Sequence, residues 1–355
     1  MAYTTIDNPE LHFQTKLYTA NQTDGTAITL DGSEDMSPNM CWWKNRDATY
    51  DHRIIDTVRG VTKILTPNTT AAEATNSNAL ASFDSDGFTV NADGDGYGLN
   101  YANTNKIVAW CWKAGGSASS NSNGDITSSV SANTTAGFSI VSYTGTDVAG
   151  DTVGHGLSAV PKWILVKRLA GSGYDWVVYH ANDTAGLYLN STGNNNDSSS
   201  NNIWFNGTAP TSSVFSIGTD GRIGDATSYI AYCFAEKQGY SKFGSYTGNG
   251  DADGAFVYTG FKPAFIMIKK SSGTENWSMY DTKRNVNGTS DTLPLNADNS
   301  SVESGNTGKN MDILSNGVKI LTSNGELNGS GDTYIYMAFA ESPFANSNGV
   351  PNNAR

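Results

Sequence analysis

The stretch YIAYCFAEK at residues 229–237 has two relatives in the same chain, KIVAWCWKA at 106–114 and YIYMAFAES at 334–342. In a strand, alternate residues face opposite sides. One face then carries Val108, Trp110 and Trp112, matched by Ile230, Tyr232 and Phe234 and by Ile335, Met337 and Phe339. The other carries Ala109 and Cys111, then Ala231, Cys233 and Ala235, then Tyr336, Ala338 and Ala340. A bulky face suits the interior of a two-layered sandwich, and a mostly small face admits a neighbouring layer at close range. Cys111 and Cys233 stand in the slot that Ala338 fills, so the slot asks for a small apolar group and not for a thiol.

Working outward, the same order of landmarks occurs in three places. Upstream lie KLYTA (16–20), VSYTG (141–145) and GSYTG (244–248). Next come PNMCWWK (38–44), PKWILVK (161–167) and PAFIMIK (263–269), each running from a Pro through an apolar stretch to Lys44, Lys167 or Lys269. RIIDT (53–57), VVYHA (177–181) and SMYDT (278–282) follow, then ASFDSDGFTV (81–90), SVFSIGTDGRI (213–223) and DILSNGVKI (312–320). Constant order across so many landmarks implies three homologous modules of roughly 100 residues each.

Each module reads as all-β. The apolar stretches are short, rich in Val, Ile, Tyr, Phe and Trp, and bounded by Gly, Asn, Asp and Ser. No segment sustains helical apolar periodicity, although TPNTTAAEATNSNALAS (66–82) could support a helical turn or two. The expected division is a first module over 1–115, a Gly/Ser/Asn-rich linker over 116–136, a second module over 137–238, a third over 239–345 and a polar tail over 346–355. The stretch 114–137 should be flexible or extended, which makes the first module a natural separate anchor. EKQGYS (236–241) is too short to be floppy, so the second and third modules should be rigidly related. The polar run 191–202 reads as an exposed loop. The tail should be disordered alone, or an arm ordered by a partner.

Composition excludes several classes. Lys and Arg number 22 against 34 Asp and Glu, a net charge of −12 in 355 residues. An acidic chain with sparse bases lacks the basic face that a nucleic-acid binder needs, and anionic membrane surfaces are disfavoured for the same reason. No apolar run approaches the ~18 residues of a membrane helix, so no membrane insertion is expected. No secretion signal is visible at MAYTTIDNPE. The three cysteines, Cys41, Cys111 and Cys233, are odd in number and read as reduced.

Enzyme chemistry finds few footholds. The histidines are His12, His52, His155 and His180, and no HExxH, CxxC or GxSxG occurs. His180 aligns with Asp56 and Asp281, which suits an exposed strand end better than a shared ligand. His155 lies in the turn-like VGHGL. No catalytic residue and no cofactor is assigned. In NGDADG (249–254), Asn249, Asp251, Asp253 and Gly254 follow the first half of a calcium loop, but its twelfth position is Gly260 and not the required Glu. A β-turn is the simpler reading there, with calcium through a shorter loop left open. Asn-x-Ser/Thr triplets at Asn133, Asn206 and Asn276 are expected by chance in such a composition.

MCWWKNR, DTVRGVTK, SFDSDGFTV, VAWCWKAGG, GHGLSAVPKWILVKR, YIAYCFAEKQGYSKFGSYTGNG, FVYTGFKPAFIMIKK and YIYMAFAESPF together resemble a family of marine bacteriophage virion structural proteins, often tail fibre-like. The resemblance runs from about residue 3 to the terminal VPNNAR. It implies tandem antiparallel sandwiches of jelly-roll or concanavalin/laminin-G-like type. It further implies a non-enzymatic virion protein made in the host bacterial cytoplasm, and the lack of heptads or a collagen-like repeat, from which a long shaft is built, makes it a short fibre or fibre tip. The expected partners are other virion proteins, a homo-oligomer (trimer favoured) and a host-surface glycan or protein. The alternatives are a capsid decoration protein on the head and, more remotely, a polysaccharide depolymerase with two carboxylates across a cleft. No receptor-binding residue can be carried over from the family.

Overall fold

The structure is a computed structural model and describes residues 3–94, 96–101, 103–194, 203–284, 293–305 and 308–352. It is nearly all β, with 42% of residues in strands and 3% in helix. Short helical turns occur at Pro9–Leu11 (3₁₀) and Gly325–Asn328 (α).

Three large antiparallel sheets share one strand order. In the first, the opening strand Phe13–Thr19 pairs with the closing strand Lys106–Trp112. That strand pairs in turn with the lysine strand Met40–Asn45, and the outer strand Arg53–Asp56 follows. The second repeats this order with Phe138–Thr144, Ser228–Ala235, Pro161–Arg168 and Val177–His180. The third does so with Ser241–Thr247, Thr333–Pro343, Phe261–Lys270 and Trp277–Asp281. Four of the five landmark sets read from the sequence are therefore the four consecutive ribbons of each sheet, and the fifth (81–90, 213–223 and 312–320) supplies strands of the small sheets.

Both faces of every large sheet are buried, and they bury against different things. The small-residue face of the first sheet, with Cys41, Ala109 and Cys111, packs on Ile28, Leu80, Phe88 and Val90 of a small three-stranded sheet. In the second, Val141, Ala231 and Cys233 pack on Val153 and Phe215. In the third, Ile266, Tyr336 and Ala338 pack on Val257, Ile313 and Val318. The bulky face does not fill these two-layered cores. It faces the other two large sheets, and one apolar cluster draws on all three. Trp110, Tyr232 and Met337 are buried as expected, but between sheets and not inside a sandwich.

The centre is closed by rings from equivalent positions. Trp112, Phe234 and Phe339 come one from each closing strand. Their centroids lie 6.4 Å (Trp112–Phe234), 5.6 Å (Trp112–Phe339) and 5.6 Å (Phe234–Phe339) apart, within the range of edge and offset contacts. The remaining central void is about 20 Å³ and apolar, bounded by residues such as Trp42, Leu165 and Met267. A void without polar partners does not hold water or a polar ligand.

Three connecting segments differ from expectation. The stretch 114–137 contains strands Ser119–Asn121 and Ser128–Asn133, which extend the second sheet beyond its opening strand. The alternation of Val130 with Ser and Ala supplies just enough apolar surface for that. Residues 66–82 form no helix; they hold the strand Ala74–Thr75 and enter Leu80–Asp84. The described part of the polar tail, residues 346–352, folds back on its own chain. Ser347 donates its N–H (2.6 Å) and its hydroxyl (2.5 Å) to Asp7, and Ala345 bridges to Pro351. Of the polar run 191–202, residues 195–202 lie outside the described residues.

Candidate functional site

The chemistry-bearing side chains flagged in the sequence are mostly at the joints between the large sheets. Asp56, His180 and Asp281 end the three outer strands, and all are buried (0%, 1% and 0% exposed). The expectation of an exposed strand end is corrected. Each reaches the closing strand of the next sheet in a cycle. Tyr232 donates its hydroxyl to Asp56 Oδ2 at 2.7 Å. Trp110 donates its indole N–H to Asp281 Oδ2 at 3.0 Å. His180 Nε2 meets the carbonyl of Tyr336 at 3.2 Å. Sheet one thus bonds to sheet two, two to three and three to one.

The odd member of this set has a physical reason. Tyr232, Trp110 and Met337 occupy the same place in their closing strands. Where that residue offers a proton, the opposing group is a carboxylate. Met337 offers none, so a carboxylate at 180 would keep only a backbone donor such as Asn182 N–H, with neither a side-chain donor nor a cation opposite it, at a cost of several kcal/mol. An imidazole avoids this by donating to a backbone carbonyl. The turn after each outer strand follows suit. Arg59 and Arg284 salt-bridge Asp56 and Asp281, both at 2.6 Å, whereas Asp183 stands three residues after His180. Arg59 also pairs with Glu73 (3.1 Å) and Arg284 with Glu303 (2.9 Å), and Glu303 reaches Arg46 of the first sheet at 2.6 Å.

A second cycle lies four residues upstream. Trp176 donates its indole N–H to Thr66 O (3.1 Å), Trp277 to Tyr188 O (3.0 Å), and His52 Nε2 faces Asn296 O (3.0 Å). His52 Nδ1 accepts from Trp42 Nε1 at 2.9 Å, which assigns the proton to Nε2. Burial, with Lys44 close by, holds the His52 imidazole well below its usual range. Burial likewise pushes His180 down to about 4. His155 Nδ1 accepts from Leu157 N–H and its Nε2 faces Thr211 O, both at 3.2 Å. These three imidazoles are neutral crosslinks.

The lysines that end the lysine strands form a third set. The Lys167 ammonium donates to Tyr174 O (2.5 Å) and Thr70 O (3.3 Å), and Lys269 to Glu275 O (2.5 Å) and Thr192 O (2.8 Å). Lys44 donates to Asn45 O (2.6 Å) and Ala48 O (3.2 Å). Desolvation lowers all three to about 8. Two of them therefore tie a loop of the preceding sheet to the next. The sequence displayed these lysines as landmarks but did not show that they are buried.

The remaining candidates resolve simply. Cys41, Cys111 and Cys233 are free and buried, and the Sγ atoms of Cys41 and Cys111 lie 3.0 Å apart across paired strands. In NGDADG, Asn249 Oδ1 accepts from Asp251 N–H and Asp251 Oδ1 from Asp253 N–H, both at 3.0 Å, while Asp253 pairs with Lys319 at 2.7 Å. Those are turn bonds. Among the described residues no group of three or more His, Cys, Asp or Glu could hold a metal, and no helix is long and apolar enough to cross a membrane. Asn133 bonds Lys113 O and His12 through its amide.

An open, polar cleft of about 380 Å³ lies at the junction of the first and second sheets. Ser37, Asn39, Lys113, Gly115, Asn133, Thr134 and Thr135 are among its walls. No sequence motif announced it, because its walls come from three separated segments.

Fold and joints together define an all-β protein of interlocked sheets whose buried polar side chains serve cohesion. The chain belongs to the family described as a domain of unknown function, DUF7483, whose model matches residues 8–343. No curated protein matches the chain.

Proposed function

We propose that this protein is a non-enzymatic component of a bacteriophage virion surface, a short tail fibre or fibre tip with a structural and host-receptor-binding role. In this reading the three large sheets, each with its small partner, are three copies of one tandem sandwich unit. The observation that carries the proposal is the cycle Asp56–Tyr232, His180–Tyr336 and Asp281–Trp110. Groups able to do acid–base chemistry are committed to holding units together, as suits a particle component that must keep its shape outside the cell. The family resemblance supplies the virion context, a homo-oligomer with a trimer favoured, and a host-surface glycan or protein as target. A capsid decoration protein is the alternative with the same support.

Gold-labelled antibody on intact particles tests this. Label at the tail supports the fibre, and label over the head supports decoration. Protein found only in the soluble fraction of a lysate, and never on particles, sinks both.

A further inference from the structure

The polar cleft between the first and second sheets differs from every other polar region described above, because its charged group is not spent on cohesion. Asn39 Oδ1 accepts from Ala114 N–H (2.9 Å) and its amide donates to Thr57 Oγ1 (3.3 Å). Asn133 Oδ1 accepts from Ala136 N–H (3.0 Å), and its amide donates to Lys113 O (3.1 Å) and His12 Nδ1 (3.2 Å). These two residues fix the walls. Lys113, half-exposed on the rim, has no carboxylate partner among the described residues. Its ammonium acts on the adjacent His12, whose imidazole is held below its usual range first by burial and then by Lys113. Ser37, Thr134 and Thr135, each bearing a hydroxyl, line the same space.

We propose that this cleft binds an acidic monosaccharide unit, its carboxylate against Lys113 and its hydroxyls against Ser37, Thr134 and Thr135. The volume lies in the range of small-molecule sites and exceeds what a simple anion fills. The walls carry no aromatic or large aliphatic side chain, so an apolar ligand gains nothing there. In a chain of net charge −12, an anion is repelled generally and needs a local unpaired cation to be held. The walls are set by backbone bonds, including Lys113 N–H to His12 O at 3.0 Å, so little ordering is required on binding. Gly115 is needed for the shape, since a Cβ there would run into the carbonyl of Ala132. This inference does not depend on where the protein sits on a particle, because the isolated chain tests it.

The probe is D-glucuronate, with D-glucose and acetate as controls at equal ionic strength, read by NMR of the His12 ring and its titration midpoint. A bound carboxylate beside Lys113 raises that midpoint. The expected result is a saturable shift with glucuronate on the order of millimolar affinity, as an open site gives, and a much weaker one with glucose. Lys113→Gln should weaken binding about tenfold or more, the worth of one charge-assisted bond. Lys113→Arg should retain it and controls for folding. No saturable shift, an equal shift in Lys113→Gln, or equal affinity for acetate and glucuronate would each overturn the proposal.

Discussion

At the scale of single residues, the repeat conserves a bonding geometry while changing the chemistry that fills it. The turn before each outer strand gives a second instance. The backbone N–H of His52, Trp176 and Trp277 is accepted by Asn68, Asn190 and Asp298 at 2.9, 2.8 and 2.8 Å. Asp51 and Asp175 accept from the amides of Asn68 and Asn190. In the third copy the pair is reversed, with Asn276 where the aspartates stand and Asp298 where the asparagines stand. This logic predicts that His180→Asp, which buries a carboxylate opposite Met337, costs about 3–5 kcal/mol. Tyr232→Phe leaves Asp56 bonded to Arg59 and should cost about 1–2 kcal/mol. Urea denaturation checks both.

His180 also predicts a pH dependence. Its imidazole is lowered to about 4 in the fold, against about 6.5 when unfolded. The unfolded chain therefore binds the extra proton first, and the stability tied to this group is present above pH ~6.5 and lost as pH falls toward ~4. Asp298, raised to about 6 by burial, acts in the opposite sense over part of that window, so the contrast with a variant is needed. The stability difference between wild type and His180→Gln should shrink across that window; a constant difference would refute the assignment.

At the scale of elements, the closing strands carry different loads on their two faces. Phe339 meets Trp112 and Phe234 at the common centre, and Phe339→Ala should cost about 3–5 kcal/mol. Cys233→Ala removes one atom from a slot that Ala338 already fills elsewhere, and should cost about 1 kcal/mol or less. Cys41, Cys111 and Cys233 are wholly buried, and burial raises the Cys41 and Cys233 thiols. A thiol reagent should therefore find no reactive cysteine in the native protein and three after unfolding. The strands themselves were legible from alternation and turn residues. The strands inside 114–137 were not, because their side chains are small and polar and the edge of the second sheet supplies their bonds.

For the whole molecule, three sheets turn their bulky faces to one centre, so none can be removed without exposing that face. The stretch before residue 115 is a wall of the shared core, so its deletion is first of all a test of folding. Despite its 355 residues, the chain should unfold in a single calorimetric transition with matching van't Hoff and calorimetric enthalpies. Three separate transitions would show that the joints described here do not couple the sheets.

From the sequence alone follow the strands, their order, the threefold repetition and the division of each closing strand into a bulky and a small face. These are local or self-referential properties, set by alternation and by comparing the chain with itself. Which way each face turns was decided only in three dimensions. A bulky strip reads the same whether it fills a sandwich or meets two sister sheets. Likewise Asp56, His180 and Asp281 look like strand ends until a neighbouring sheet covers them, and Lys113 looks ordinary until three distant segments surround it.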